Sequence, residues 1–65
     1  MSTNPYPTVV HLSGTLTDVE ATALSELCRR IGLAECRSLS KDEAEAYRMR
    51  DATISLHQLL ERHGY

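Results

Sequence analysis

From Thr17 onward the apolar positions Ala21, Leu24, Leu27, Cys28 and Ile31 recur at i, i+3, i+4 and i+7, a spacing that predicts an amphipathic helix with one buried stripe. Thr17-Asp18-Val19-Glu20 is a capping box at its start: the Thr17 hydroxyl can accept from the amide of residue 20, and Glu20 can reach back to the amide of Thr17. Leu16, just before the cap, can meet Ala21 as a staple. Gly32 is the expected stop, because glycine takes the left-handed conformation without a Cβ penalty, and Leu33 can then fold back onto Cys28.

Residues 33–39, LAECRSL, read as a connector with room for one helical turn. Ser40-Lys41-Asp42-Glu43 repeats the capping logic, with Ser40 as cap and Glu43 as its reciprocal partner. The pattern predicts a second helix from about Lys41 to His63, ~35 Å long, ended by Gly64. Its expected stripe is Met49, Ala52, Leu56, Leu59 or Leu60, and His63, flanked by Tyr47 and Ile54.

Upstream, TVVHL at Thr8–Leu12 is β-branched and roughly alternating, which predicts one short strand. A lone strand leaves its amides and carbonyls unpaired, so it must pair with its copy in another chain or lie over the helices. Residues 1–7 hold Asn4, Pro5 and Pro7 without periodicity and read as a flexible N-terminal tail. The expected fold class is mainly α: an antiparallel helical hairpin preceded by a short N-terminal β-strand, with residues 8–65 forming a single small helical domain. The apolar positions of the long helix cover more than one seam, and domains below ~70 residues need disulfides, metal or assembly. A homodimer closing into a four-helix bundle would bury both faces.

Length limits what else the chain can be. Sixty-five residues form one domain at most, and such a chain buries only ~60% of its unfolded surface. The net charge of -2 provides no global positive field, so DNA binding would need a local patch. No apolar run reaches the ~18 residues that span a bilayer. The start MSTNPYPTVV lacks the basic residues and apolar stretch of a signal peptide, so a cytoplasmic location is expected.

Little in the residues suggests catalysis. Cys28 and Cys36 are the only cysteines, and a reducing compartment favours free thiols packed as small hydrophobes. His11, His57 and His63 lack zinc-site spacing, so no metal or cofactor is expected. The three glycines are isolated, which leaves no phosphate-cradling loop, and no nucleophile is set beside a base. A non-enzymatic protein is therefore the expectation.

The charged clusters each admit two readings. Asp42, Glu43 and Glu45 at the start of the second helix, with Asp18 and Glu20 at the start of the first, are either dipole-complementing caps or one acidic patch for a basic partner surface. Arg29 and Arg30, with Glu26 nearby, are either a solvated last turn or, together with Arg37, Lys41, Arg48 and Arg50, a basic edge. Arg29, Arg30, Arg37 and Lys41 are the phosphate-binding candidates of a small dimeric DNA-binding transcriptional regulator. Tyr47, Arg50, Asp51 and Ile54 are adjacent on the helix, as a packing ion pair or as a Tyr/Arg anchor for a protein partner.

LTDVEATALSELCRRIGL, Arg37 and SKDEAEAYRMRDA together resemble a short family of proteobacterial, phage and plasmid proteins that carry LTD-x-EA-x-AL and D-x-x-EAY-x-MRDA blocks. The resemblance spans roughly residues 15–62. It supplies no activity and no catalytic residues. What it implies is genomic company: small proteins of mobile elements inhibit host defence, anti-CRISPR proteins among them, or regulate the element. The resulting expectation is an anti-CRISPR inhibitor that binds a Cas subunit through Asp42, Glu43 and Glu45, with Tyr47 and Arg48 as anchors.

Overall fold

The computed structural model describes residues 8–65, so the expected tail at 1–7 lies outside the described residues. Three helices follow one another: α1 (Asp18–Arg30), α2 (Leu33–Leu39) and α3 (Glu43–Glu61). No helix is long and apolar enough to cross a membrane among the described residues.

α1 starts where its capping box places it. The Glu20 amide donates to the Thr17 hydroxyl at 3.1 Å and the Thr17 amide donates to Glu20 Oε1 at 2.9 Å, so two orphan donors are satisfied reciprocally. The helix ends differently from expectation. Gly32 is extended (φ -118°, ψ -173°) rather than left-handed, and instead of closing α1 it caps the start of α2. Its amide donates to Glu35 Oε2 at 2.9 Å, a local bond that turns the expected connector into a seven-residue helix. Ser40 then closes α2: its amide donates to the Cys36 carbonyl at 3.0 Å and its hydroxyl turns back to donate to the Arg37 carbonyl at 3.2 Å, away from the start of α3. Capping of α3 falls to Asp42, whose Oδ1 accepts from the Glu45 amide at 2.7 Å. The Asp42 carboxylate, two residues later, plays the capping role that Ser40 was expected to play. Gly64 lies just past α3 at φ +90°, the left-handed conformation expected of it.

α1 and α2 each pack against α3. Asp18 and Ser25 of α1 contact Tyr65 beyond the end of α3, while Arg37 of α2 pairs with Glu43 at its start. The two short helices, ~20 and ~10 Å long, therefore run end to end along the ~28 Å of α3. This is the expected antiparallel hairpin with its first arm broken at Ile31-Gly32.

The buried side chains are small: Ala21 and Ser25 from α1, Cys36 from α2, Ala46 and Leu60 from α3. Small residues let the helices approach closely, and they leave the larger apolar side chains at the sides. On α3 the inward stripe is Ala46, Met49, Arg50, Thr53, His57 and Leu60, a quarter turn from the expected one. Thr53 serves there because its hydroxyl donates to the Arg50 carbonyl at 2.7 Å. Leu56 and Leu59 remain exposed, and on α1 Leu27 is exposed as well.

Residues 8–16 precede α1 without regular structure, with Val9, Val10 and Leu12 exposed. The expected strand does not form at Thr8–Leu12, where among the described residues no second strand lies alongside to take its backbone hydrogen bonds. A dimeric bundle is likewise not a property of the single chain.

Candidate functional site

The inward stripes divide each long helix into two flanks. At 3.6 residues per turn, Tyr47, Asp51, Ile54 and Glu61 of α3 lie on one flank of its stripe, and Ala52, Leu56, Leu59 and His63 lie on the other. In α1, Asp18, Thr22, Glu26 and Arg29 take the first flank, whereas Glu20, Leu24, Leu27 and Ile31 take the second. In an antiparallel pair, flanks of the same rotational sense emerge on the same side. The hairpin thus has one polar face and one apolar face.

The polar face carries most of the ion pairs. Glu26 meets Arg29 at 3.4 Å and Arg30 at 3.2 Å, and Arg50 meets Asp51 at 3.3 Å. On this face the Arg50 guanidinium carbon sits 5.1 Å from the centroid of the Tyr47 ring, within cation–π range. Tyr47 is 41% exposed and Ile54 one further turn along is 48% exposed. Arg50 Nε is shielded from solvent without a hydrogen-bond partner among the described residues. Aromatic, guanidinium and aliphatic groups displayed side by side match the composition of protein-interaction anchors. Tyr47 stands among the expected binding residues; Arg50 and Ile54 complete its surface, at spacings i+3 and i+7 that the sequence already contains.

The expected acidic residues are occupied locally. Asp42 caps α3, Glu45 accepts from the Lys41 amide at 2.9 Å, and Glu43 accepts from Arg37 Nε at 2.7 Å. The pairing with Glu43 raises the Arg37 pKa above its ordinary value. Glu45 lies on the apolar flank, Glu43 on the polar one, and Arg48 on the outer edge of α3 away from both other helices. Asp42, Glu43, Glu45, Tyr47 and Arg48 therefore share an end of the molecule without sharing a face. Asp18 and Glu20 sit at the far end, because α1 begins where α3 finishes, so the two acidic helix starts do not form one patch.

Three of the four expected phosphate ligands are also engaged. Arg29 and Arg30 both face Glu26, and Arg37 faces Glu43; Lys41 has no ion pair among the described residues. Cys28 and Cys36 are free thiols, with Cys36 buried against α3. Among the described residues no group of three His, Cys, Asp or Glu side chains is placed to hold a metal ion.

A family of unknown function (DUF7706) matches residues 1–65. The chain belongs to that family. No curated protein and no solved structure matches it. Membership covers every element described above, the hairpin and the Tyr47–Arg50 surface included, and attaches no activity to them.

Proposed function

We propose that the chain is a non-enzymatic interaction protein whose polar face binds another protein, with Tyr47, Arg50 and Ile54 at the centre of the contact. The observation that carries this reading is the exposed Tyr47 ring with the Arg50 guanidinium 5.1 Å above it. A ring already stacked loses little side-chain freedom on binding, which lowers the entropic cost of docking. Glu43 lies on the same flank and is paired with Arg37, so a basic partner surface would compete with Arg37 for it, and Arg48 stands at the outer edge of α3 as a secondary contact.

The partner we propose is a Cas subunit, which makes the chain an anti-CRISPR inhibitor of nucleic-acid or nuclease recruitment. That step rests on the resemblance to mobile-element proteins. In this reading the protein acts in the cytoplasm as a homodimer. The DNA-binding alternative would use Arg29, Arg30 and Arg37, which face Glu26 and Glu43 in exposed pairs, together with Lys41.

The test is a tagged pull-down from a nuclease-treated proteobacterial lysate containing active CRISPR systems, read by mass spectrometry. Stoichiometric recovery of a Cas subunit, lost with Tyr47→Ala/Arg50→Ala, is the expected result. Retention of duplex DNA with no Cas subunit would transfer the function to the regulator class.

A further inference from the structure

We propose that Arg37 of α2 is a positioning residue of the Tyr47 surface: it holds the hydroxyl end of Tyr47 while Arg50 holds the face of the ring, so the docking surface is whole only while α2 is packed on α3. The inference rests on the reading that this polar face binds a protein, and it makes α2 the element that regulates that binding.

Tyr47 belongs to a ladder of side chains along one flank of α3. Long side chains on a helix lean toward its N-terminus, over the turn that precedes them. Arg50 accordingly lies back over Tyr47, its guanidinium carbon 5.1 Å from the ring centroid. By the same rule Tyr47 leans toward Glu43, four positions earlier. The ladder ends at α2, because Glu43 Oε1 accepts from Arg37 Nε at 2.7 Å. A guanidinium placed there meets the phenol as well as the carboxylate. Glu43 first, and the Tyr47 hydroxyl after it, hold the Arg37 pKa above its ordinary value, as befits a cation that faces both.

The Arg37–Glu43 pair is placed to fix position more than to add stability. Both side chains are more than half exposed, and ion pairs in solvent contribute little to a fold. A guanidinium differs from an ammonium here, since its planar fork of N–H donors can serve two acceptors at once. Arg37 can thus bridge Glu43 and the Tyr47 hydroxyl, which lie one turn apart on α3. With Arg50 at the ring face, Tyr47 is restrained at both ends before a partner arrives. A side chain already restrained loses less freedom on binding.

Arg37 is the member of this ladder that α3 does not supply, and α2 is lightly held. It is seven residues long, shorter than an isolated helix needs, and among the described helices it packs against α3 alone. Ile31 and Gly32 before it and Ser40 after it have extended backbone. Its buried side chain is Cys36, 1% exposed. An element held in this way opens in local fluctuations more readily than the rest of a fold. When α2 lifts, Arg37 leaves with it and the hydroxyl end of Tyr47 is freed. Partner binding and α2 packing are therefore coupled, and such coupling is reciprocal: a partner that prefers the restrained Tyr47 also holds α2 in place.

The test compares the full chain with Arg37→Ala and with Arg37→Lys, which keeps a charge beside Glu43 without the two-acceptor fork. In the free chain, three-bond couplings in NMR should show one Tyr47 χ1 rotamer for the wild type and rotamer averaging in both variants, at unchanged helix content by circular dichroism. The Cas subunit recovered by the wild type should bind Arg37→Ala roughly three- to tenfold more weakly, the effect of one immobilised side chain. It should also slow alkylation of Cys36 by iodoacetamide, read by peptide mass spectrometry, because that buried thiol is reached when α2 opens. A single Tyr47 rotamer in folded Arg37→Lys overturns the positioning. Unchanged affinity in Arg37→Ala, where Tyr47→Ala/Arg50→Ala loses the partner, also overturns it and keeps the polar-face reading. Equal Cys36 alkylation with and without the partner overturns the coupling to α2. Recovery of no Cas subunit by the wild type, or full binding by Tyr47→Ala/Arg50→Ala, overturns the polar-face reading itself and this inference with it.

Discussion

The hydroxyl of Ser25 donates to the main-chain carbonyl oxygen of Tyr65 at 2.8 Å, joining the middle of α1 to the turn beyond α3 across 40 positions of sequence. Ser25 is 4% exposed, so water does not compete for the bond. The Tyr65 amide donates to the Leu60 carbonyl at 3.0 Å and its phenol donates to Asp18, which holds one residue against both arms of the hairpin. With so few large side chains buried, this clasp does work that a thicker core would do by burial.

Ser25→Ala should therefore destabilise the fold by ~1 kcal/mol, the net worth of one intramolecular hydrogen bond. Tyr65→Phe, which removes only the exposed phenol contact, should cost less. Urea unfolding followed by far-ultraviolet circular dichroism measures both. A Ser25→Ala variant as stable as the wild type would show that the two arms are held by side-chain burial alone.

Two groups make stability depend on pH from opposite sides. The bond to Asp18 holds the Tyr65 phenol above its ordinary value of 10.0. The protonated phenol is thus favoured by folding, and its contribution is complete below that value and lost as pH rises through the folded pKa. Glu20 is held below its ordinary 4.5 by the Thr17 amide first and the Thr17 hydroxyl second. Its contribution is complete above 4.5 and lost as pH falls through the depressed value. Thermal midpoints recorded against pH should fall at both extremes, with Tyr65→Phe reducing the alkaline loss and Glu20→Gln the acid one.

The position of the α3 cap can be read by substitution. Asp42→Ala should cost ~1 kcal/mol, as loss of an N-cap does. Ser40→Ala should stay within ~0.5 kcal/mol, because Ser40 closes α2 mainly through its backbone and its hydroxyl makes only an exposed local bond to the Arg37 carbonyl. The reverse order in chemical denaturation would place the start of α3 two residues earlier.

Close approach of α2 and α3 depends on Ala46, which is 0% exposed and packs in the layer that also buries Cys36. Ala46→Leu should destabilise by ~1–3 kcal/mol through overpacking, although leucine is a good helix former. Ala52→Leu on the exposed flank of the same helix is the control and should be near neutral or stabilising. Equal effects at the two positions would contradict the observed rotation of α3.

Partner capture should separate the polar face from the acidic helix start. Tyr47→Ala/Arg50→Ala should weaken recovery of the partner at least tenfold, since anchor residues carry ~2 kcal/mol or more each. Reversing Asp42, Glu43 and Glu45 together should weaken it less per residue while also destabilising the cap, so circular dichroism must accompany the pull-down. Full capture by the Tyr47/Arg50 variant would remove this surface from the contact.

Several features whose partners lie within one turn of each other follow from residue spacing without any tertiary contact. The Thr17–Glu20 box, the Glu26–Arg30 pair and the Tyr47–Arg50 stack are all i+3 or i+4 relationships, so spacing alone locates them. Gly32 and Ser40 were harder to place because each lies between two helices and can serve either one; the Gly32–Glu35 and Ser40–Cys36 bonds assign them to α2. Which side of α3 faces inward, by contrast, is set by packing against α1 and α2. Apolar periodicity points to Met49, Ala52, Leu56 and Leu59, yet helices that approach through Ala21, Ser25, Cys36 and Ala46 exclude bulky side chains from between them. Close packing of small residues outweighs the hydrophobic stripe within one chain, and the large apolar groups are turned a quarter turn aside, onto a face that the chain alone does not cover.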